Sequence, residues 1–232
     1  MIKYFILSDI HAQFKLLNKA LINADFNINN KDHILIISGD ILDRGKQGNS
    51  VIKFLESKIS KNRVLGVLGN HDVFLKDILE ENFNIDVIKF NIMRNGFGET
   101  LKLIKGIDLN ELTNESIIKF KNEFIEKYSI FSKWIKSLPI YLEFQNHVIV
   151  HAFLNFNLEN WRDTSLKFAT WSRNYRDRIP FKFGKKLIFG HTPNVHINGS
   201  DDIIYDGFKI MIDGGAALNH QINILKLTEE TI

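Results

Sequence analysis

Short, almost uninterrupted runs of apolar residues recur along the chain, and a polar cluster follows each of them. Such runs lie at 4–7, 34–37, 64–68, 148–150 and 187–189. Apolar runs of this length without alternation are typical of strands that are buried on both faces. The pattern therefore predicts a set of buried strands with polar side chains at their carboxyl ends.

The segments between the first three runs have helical spacing. In residues 14–24 the apolar side chains recur at every third or fourth position, and residues 50–57 repeat this pattern. Strand–helix–strand alternation at this period predicts an α/β protein. In open α/β sheets, functional sites form beyond the carboxyl ends of the strands. The polar clusters of this chain lie at those ends.

Residues 83–138 interrupt the alternation. Asn95–Gly98 is typical of a loop, and Thr113 is a candidate N-cap for one helix that extends to about Ser137. The apolar stripe of this helix predicts packing against a core. We interpret the segment as a helical insert over or beside the site.

The last third of the chain returns to short strands, with turn candidates at 145–146 and 206–207. A length of 232 residues corresponds to about one and a half average domains. We therefore expect a single domain over residues 1–232, with the helical insert at about 83–138.

The amino-acid composition limits the kinds of site and partner that the chain can have. The chain has no cysteine, which excludes disulfides, thiolate nucleophiles and cysteine-bound metals. The net charge is +3 and the lysines are dispersed, so charge favours neither a nucleic acid nor a membrane as partner. No apolar run approaches the roughly 18 residues of a membrane span. The first residues lack a secretory signal pattern, so we expect a cytoplasmic location.

The strand-end clusters supply carboxylate, imidazole and amide groups without sulfur. Their members are Asp9, His11, Asp40, Asp43, Arg44, Asn70, His71, Asp72, His151 and His191. A mixed oxygen and nitrogen set suits manganese, iron, zinc or nickel. Six of these residues are candidate ligands, which is more than one four-coordinate ion needs, and two ions that share a carboxylate would use all six. Burying these groups without a metal would be costly.

The order of these residues resembles that of the calcineurin-like metallophosphoesterases, and most closely the phosphoprotein phosphatase branch. The matching motifs are Asp9–His11, Gly39–Gly45 with the sequence GDILDRG, Gly69–Asp72 with the sequence GNHD, His151 after a strand, and Gly190-His191. All five occur in the family order and spread over most of the chain. The resemblance implies a four-layer α/β/β/α metallophosphatase sandwich.

The resemblance also implies two divalent metal ions, with manganese as the leading candidate and iron, zinc or nickel as alternatives. The implied ligands are Asp9 and His11 for the first ion, Asp40 as the bridge, and Asn70, His151 and His191 for the second ion.

In-line attack on phosphorus by a hydroxide that bridges the two metals is the implied mechanism. Arg44 and Asn70 would bind oxygens of the phosphate. His71 would protonate the leaving oxygen, and Asp43 would hold the His71 ring.

A second phosphate clamp is expected from residues 170–173, which resemble a W-x-R segment of bacterial and phage members. Arg173 is the candidate, and Arg162, Arg176 and Arg178 are alternatives. Residues 213–216 either match the closing strand-end signature of the family or form only a tight turn. The histidines outside the motifs are expected at the surface or in the core: His33, His147, His196 and His220.

The resemblance implies a metal-dependent phosphoesterase for phosphomonoesters, with a protein serine/threonine phosphatase as the leading activity. A symmetrical bis(5'-nucleosyl)-tetraphosphatase is the alternative, because both reactions attack phosphorus at the same metals. A nuclease or cyclic nucleotide phosphodiesterase is less favoured, since Pro193 replaces a histidine that many related nucleases carry. Retention of His71 and Asp43 disfavours a non-catalytic metal-binding module. The expected partner is a phosphorylated protein or a small phosphoester or dinucleotide, and neither a membrane nor a nucleic acid.

Overall fold

The computed structural model describes all of residues 1–232, and nine strands build its two sheets. The strands are β1 (Lys3–Leu7), β2 (His33–Ser38), β3 (Val64–Val67), β4 (Tyr141–Glu143), β5 (His147–Val150), β6 (Lys186–Phe189), β7 (Ile204–Asp206), β8 (Lys209–Met211) and β9 (Leu225–Thr228). Each predicted apolar run forms a strand, and only Leu68 lies beyond the end of its strand. The α/β interpretation is thus confirmed.

Nine α-helices connect and cover these strands. They are α1 (Phe14–Asn23), α2 (Gly48–Ile59), α3 (Asn70–Leu79), α4 (Ile85–Asn95), α5 (Gly98–Leu101), α6 (Asn114–Lys127), α7 (Ser129–Ser137), α8 (Leu166–Trp171) and α9 (Val195–Asn198). Three single 3-10 turns lie at 161–163, 181–183 and 216–218. None of the helices has both the length and the apolar character that crossing a membrane requires.

Each sheet has a parallel centre with an antiparallel strand at an edge. The first sheet has the order β3-β2-β1-β9, in which β9 is antiparallel to β1. The second has the order β4-β5-β6-β8-β7, in which β4 and β7 are antiparallel to their neighbours. The turns predicted at 145–146 and 206–207 connect β4 to β5 and β7 to β8.

The two sheets stack through a layer of isoleucines. Ile6 and Ile36 of the first sheet meet Ile149 and Ile188 of the second in one buried cluster. Because side chains alternate along a strand, the neighbour Phe5 faces the opposite way, into the larger cluster that the helices cover. Helices on the outer faces of two stacked sheets give the expected α/β/β/α arrangement.

The helix expected from Thr113 to about Ser137 is two helices, α6 and α7. Thr113 caps the first of them as predicted, because its side chain accepts a hydrogen bond from the Ser116 N–H at 3.2 Å. The break lies at Tyr128, whose backbone angles (φ −131°, ψ 53°) are not helical. Its buried ring packs on Phe124, and its hydroxyl lies 3.1 Å from the side-chain oxygen of Asn49 on α2. Tertiary contacts therefore override the continuous helical pattern.

Candidate functional site

The carboxyl ends of strands from both sheets meet at one edge of the sandwich. Asp9 and Asp40 follow β1 and β2, and Asn70 begins α3 shortly after β3. His151 and His191 follow β5 and β6 of the second sheet. The structure thus brings together strand-end residues that lie far apart along the chain, up to the 182 positions that separate Asp9 from His191.

Asp40 is the centre of this cluster. Its Oδ2 atom lies 3.4 Å from Nε2 of His151, 3.6 Å from Nε2 of His11 and 3.9 Å from Nε2 of His71. Two groups of potential ligands have all their donor atoms within 4.8 Å of one another, and both contain Asp40. One group adds His11 and His71, and the other adds His151 and His191.

Asp9 and Asn70 complete the set of predicted ligands. The Oδ1 atom of Asp9 lies 3.9 Å from Nε2 of His11, and its Oδ2 atom accepts a hydrogen bond from the backbone N–H of His191 at 3.0 Å. The Oδ1 atom of Asn70 lies 3.1 Å from Nε2 of His151. All six residues expected to bind metal are therefore in one cluster.

Backbone carbonyls orient two of the imidazoles. Nδ1 of His151 lies 2.8 Å from the carbonyl oxygen of Ser38, and Nδ1 of His11 lies 3.3 Å from that of Leu42. When Nδ1 donates to a carbonyl, the lone pair of the ring is on Nε2. Both Nε2 atoms then offer this lone pair to the centre around Asp40.

His71 has a different partner. Its Nδ1 lies 2.6 Å from Oδ2 of Asp43, and the hydroxyl of Thr100 donates to the other oxygen of that carboxylate. Both His71 and Asp43 are buried. This pairing leaves Nε2 of His71 directed at the cavity above Asp40.

The carboxyl groups of the site have no cationic partner among the lysines and arginines. Five aspartates are buried there without such an ion pair: Asp9, Asp40, Asp43, Asp72 and Asp213. Burial, with a contribution from the charge of Asp40, raises the pKa of Asp9 to about 6 and that of Asp72 to about 7. Buried carboxylates without cations are costly, so the site favours an added positive charge.

The imidazoles divide into two classes. Burial lowers the pKa of His11 and of His191 to about 3, so both rings are neutral and able to bind a metal. Burial also acts on His71 and His151, but nearby carboxylates outweigh it. Asp40 and Asp43 raise the pKa of His71 to about 9, and Asp40 and Asp9 raise the pKa of His151 above its usual value. Burial opposes ionisation of Asp40, yet the positive charges of His151 and His71 hold its pKa well below the usual range.

His191 presents its Nδ1 atom to the cluster. This atom lies 3.2 Å from Nε2 of His151, and both rings belong to one ligand group with Asp40. Imidazole nitrogens that face each other beside an ionised carboxylate are donors that divalent transition metals prefer. The residues present thus fit two divalent ions that share Asp40.

Asp72 braces the loop that carries Asp40. Its carboxylate accepts hydrogen bonds from the backbone N–H groups of Asp40 at 2.8 Å, Ile41 at 3.1 Å and Gly69 at 2.9 Å. The sequence predicts Asp72 as the cap of a helix over Val73–Glu80. Asp72 does accept a backbone N–H at the start of this helix, through its bond from Gly69. The helix starts earlier than expected, however, because Gly69 is the N-cap and Asn70 and His71 lie in the first turn of α3.

A cavity of about 200 Å³ opens above the cluster, and two arginines line it. Arg44 is exposed there, and its backbone N–H donates to the carbonyl of Gly96 at 3.1 Å. Arg173 donates to the hydroxyl of Thr192 at 3.1 Å. Both arginines thus line the cavity that contains the ligand cluster.

The three alternative arginines do not line this cavity. Arg162 pairs with Glu143, Arg176 lies over the ring of Tyr175, and Arg178 lines a separate cavity. The geometry therefore favours Arg173 over these candidates as the second phosphate clamp.

The cavity is also lined by residues that the strand-end motifs alone do not predict. Asn95, Trp171 and His196 line it, and Thr100 supports Asp43 from α5. Asp213 lines it as well, and it accepts a hydrogen bond from Gly215, whose φ of 76° lies in the left-handed region. Residues 213–216 therefore both form a tight turn and contribute to the site.

Comparison with known sequences gives one family and several relatives. The family model described as calcineurin-like phosphoesterase matches residues 2–210. A symmetrical bis(5'-nucleosyl)-tetraphosphatase from Buchnera aphidicola subsp. Schizaphis graminum is 36% identical over 121 residues, which is 52% of this chain and 40% of that protein. The chain thus matches less than half the length of this relative.

Two further proteins align over longer stretches. The asymmetrical bis(5'-nucleosyl)-tetraphosphatase PrpE of Bacillus subtilis is 23% identical over 211 residues, which cover 82% of this chain and 79% of PrpE. The structure of a cold-active protein-tyrosine phosphatase from a Shewanella species superposes with a TM-score of 0.64 and 16% identity, covering 99% of this chain and 76% of that one. This second likeness supports the fold.

Proposed function

Because the chain belongs to the calcineurin-like phosphoesterase family, we propose that it hydrolyses phosphate esters or anhydrides at a centre of two divalent metal ions. The observation that carries this proposal is the position of Asp40 in two groups of ligands, one with His11 and His71 and the other with His151 and His191. A single carboxylate common to two ligand groups is what a dinuclear centre needs. Manganese is the first metal to test.

The ligand set proposed for these ions is that of the sequence motifs. Asp9 and His11 hold the first ion, Asn70, His151 and His191 hold the second, and Asp40 contacts both. When bound, such ions polarise the phosphoryl oxygens and make water more acidic. Arg44 and Arg173, both on the cavity wall, bind the remaining phosphate oxygens through their planar guanidinium groups, and the Asn70 amide assists them.

His71 supplies the proton to the leaving oxygen in this proposal. Its Nδ1 is held by Asp43 at 2.6 Å, which fixes the ring and presents Nε2 to the cavity. Thr100 in turn holds Asp43. A proton donor positioned in this way typically contributes 10²–10⁴-fold to the rate.

Among substrates, we favour dinucleoside polyphosphates over phosphoproteins. A relative that is similar over about half of this chain has a tetraphosphatase name. So does PrpE, which is similar over most of it. The likeness to the tyrosine phosphatase is at 16% identity and concerns the fold. Protein serine/threonine phosphatase activity stays a prediction from the motifs.

Hydrolysis of p-nitrophenyl phosphate by the metal-depleted protein, with and without added manganese, tests the proposal. We expect turnover only with the metal, and its loss in Asp40→Asn. A panel of diadenosine tetraphosphate, a phosphothreonine peptide, a cyclic nucleotide and single-stranded DNA then ranks the substrates. Absence of turnover with manganese, nickel, zinc and iron would contradict the proposed function.

A further inference from the structure

A second cavity lies beside the metal centre and shares a wall with it. Its volume is about 550 Å³, and both Arg44 and Ala217 line the two cavities. We call it the basic cavity, because its charged lining consists of Lys15, Arg44 and Lys46 and includes no acidic residue. Its other polar side chains are the amides of Gln13, Gln47 and Asn219.

The three cations of the basic cavity are free of ion pairs. Lys15, Arg44 and Lys46 are exposed, and no carboxylate lies within 4.0 Å of any of them. The first turns of α1 and α2 also carry no acidic residue. A chain whose overall charge is only +3 therefore concentrates unpaired positive charge in one concave surface, and such a surface attracts polyanions.

The basic cavity is rigidly positioned relative to the metal ligands. The N–H of Gly45 donates to the carbonyl of His11, and that of Gln47 donates to the carbonyl of Ala12, both at 3.1 Å. Any side chain at position 45 would collide with the His11 carbonyl. The loop that carries Arg44 and Lys46 thus packs directly against the loop that carries His11. This contact fixes the distance between the two cavities.

The side-chain amides leave polar groups for a ligand. Nε2 of Gln13 donates to Oδ1 of Asn219 at 2.7 Å, so the carbonyl of Gln13 and the amino group of Asn219 remain available. Oε1 of Gln47 accepts from the N–H of Lys15 at 3.0 Å, which leaves its amino group. Such groups match the hydroxyls of a sugar, and the volume lies within the range of about 300–1,000 Å³ for small-molecule sites.

We infer that the basic cavity binds the part of a phosphate chain that extends beyond the phosphorus under attack, together with the sugar at its end. The inference rests on the proposed function, since it takes the metal centre as the place of attack. Arg44, on the shared wall, contacts the chain between the two cavities. Lys15 and Lys46 bind the distal phosphates, and they make dinucleoside polyphosphates better ligands than substrates with a single phosphate.

Binding and turnover of two substrates test this inference in the full chain. The variants are Lys15→Gln with Lys46→Gln, the charge-preserving Lys15→Arg with Lys46→Arg, and the control Lys19→Gln. Lys19 is an exposed lysine of α1 that does not line the basic cavity. Binding of a methylene-bridged, non-hydrolysable analogue of diadenosine tetraphosphate is measured by calorimetry at two salt concentrations, and turnover of p-nitrophenyl phosphate is measured in parallel.

We expect the double glutamine variant to bind the analogue at least about tenfold more weakly and with a smaller salt dependence, because two charge-assisted contacts are lost. The double arginine variant and Lys19→Gln should bind within about twofold of the unmodified protein. All variants should hydrolyse p-nitrophenyl phosphate at similar rates.

Equal affinity in the unmodified protein and the double glutamine variant would overturn the inference, as would no binding at all. An acidic phosphopeptide serves as a second probe. If the double glutamine variant loses affinity only for this peptide, the cavity is a peptide groove and the inference is overturned. Failure of the proposed function is a separate result. It would appear as absence of p-nitrophenyl phosphate turnover in the unmodified protein, whereas the inference is tested by the difference in analogue affinity between the variants.

Discussion

At the scale of single residues, His71 has two possible roles that experiment separates. It shares a ligand group with His11 and Asp40, yet its Nδ1 is paired with Asp43, as a positioned acid requires. For His71→Asn we expect kcat to fall by about 10²–10⁴-fold on an alkyl phosphate. The loss should be smaller on p-nitrophenyl phosphate, whose leaving group needs no proton.

Metal content decides between the two roles. Elemental analysis of His71→Asn should find the same manganese stoichiometry as in the unmodified protein if the residue is an acid. A variant Thr100→Val, which removes the hydroxyl that supports Asp43, should show a smaller loss of the same kind. A His71→Asn protein that has lost one ion would make His71 a ligand and would contradict its proposed role.

A residue outside the site gives a prediction on stability. Asp77 is half-buried in the last turn of α3, and burial, with the nearby charge of Glu80, raises its pKa from 3.8 to about 6. A carboxylate near a helix C-terminus is also disfavoured by the helix dipole. Because the folded state binds the proton more tightly than the unfolded state, stability falls as the pH rises from about 4 through 6.

Asp77→Asn should therefore stabilise the protein above pH 6 and leave it unchanged near pH 4. After allowance for the solvent exposure of the group, we expect a gain of about 1 kcal/mol at pH 7.5. Urea denaturation at both pH values measures it, with Glu126→Gln, an exposed helical position, as the control. An equal gain at pH 4 would show that the carboxylate charge is not the cause.

At the scale of elements, the turns after the strands decide the geometry of the site. Gly69 is the clearest case, because a side chain there would collide with both the carboxylate and the backbone nitrogen of Asp40. For Gly69→Ala we expect fewer than two manganese ions per chain and a loss of about 1–3 kcal/mol in the free energy of unfolding.

The control for this change is Gly207→Asn. Gly207 has a positive φ of 60°, which asparagine tolerates, and no atom lies within 4 Å of the position that its Cβ would take. We expect normal metal content in that variant. Normal metal content in Gly69→Ala as well would mean that Asp40 can move away without loss of the site.

Some helices and strands could be predicted from the sequence, and others could not. The strands and the residues at their ends were predictable, because continuous apolar runs and their polar termini are local signals. The break at Tyr128 was not, since it depends on the contacts of this ring with Phe124 and Asn49. The early start of α3 was missed because its N-cap is Gly69, which offers no side chain as a signal.

At the scale of the whole molecule, the candidate site depends on how the two sheets stack. The motifs predicted that Asp9, Asp40 and His151 would meet, and they do. Asn95, His196 and Thr100 reach the site from helices whose positions follow from packing rather than from any periodic pattern. Such residues could be found only once the two sheets and the segments around them were in place.

The same stacking predicts that metal binding stabilises the whole fold, because the proposed ligands come from both sheets. With manganese at about 100 times its Kd, each ion should add about 2.7 kcal/mol to the stability of the folded state. For a chain of this size, 1 kcal/mol corresponds to about 2–4 °C in Tm, so one ion should raise Tm by roughly 5–10 °C. Thermal unfolding with manganese and with a chelator measures the shift. Asp40→Asn, which lacks the shared carboxylate, should show less than half of it, and an equal shift in both proteins would place the metal elsewhere.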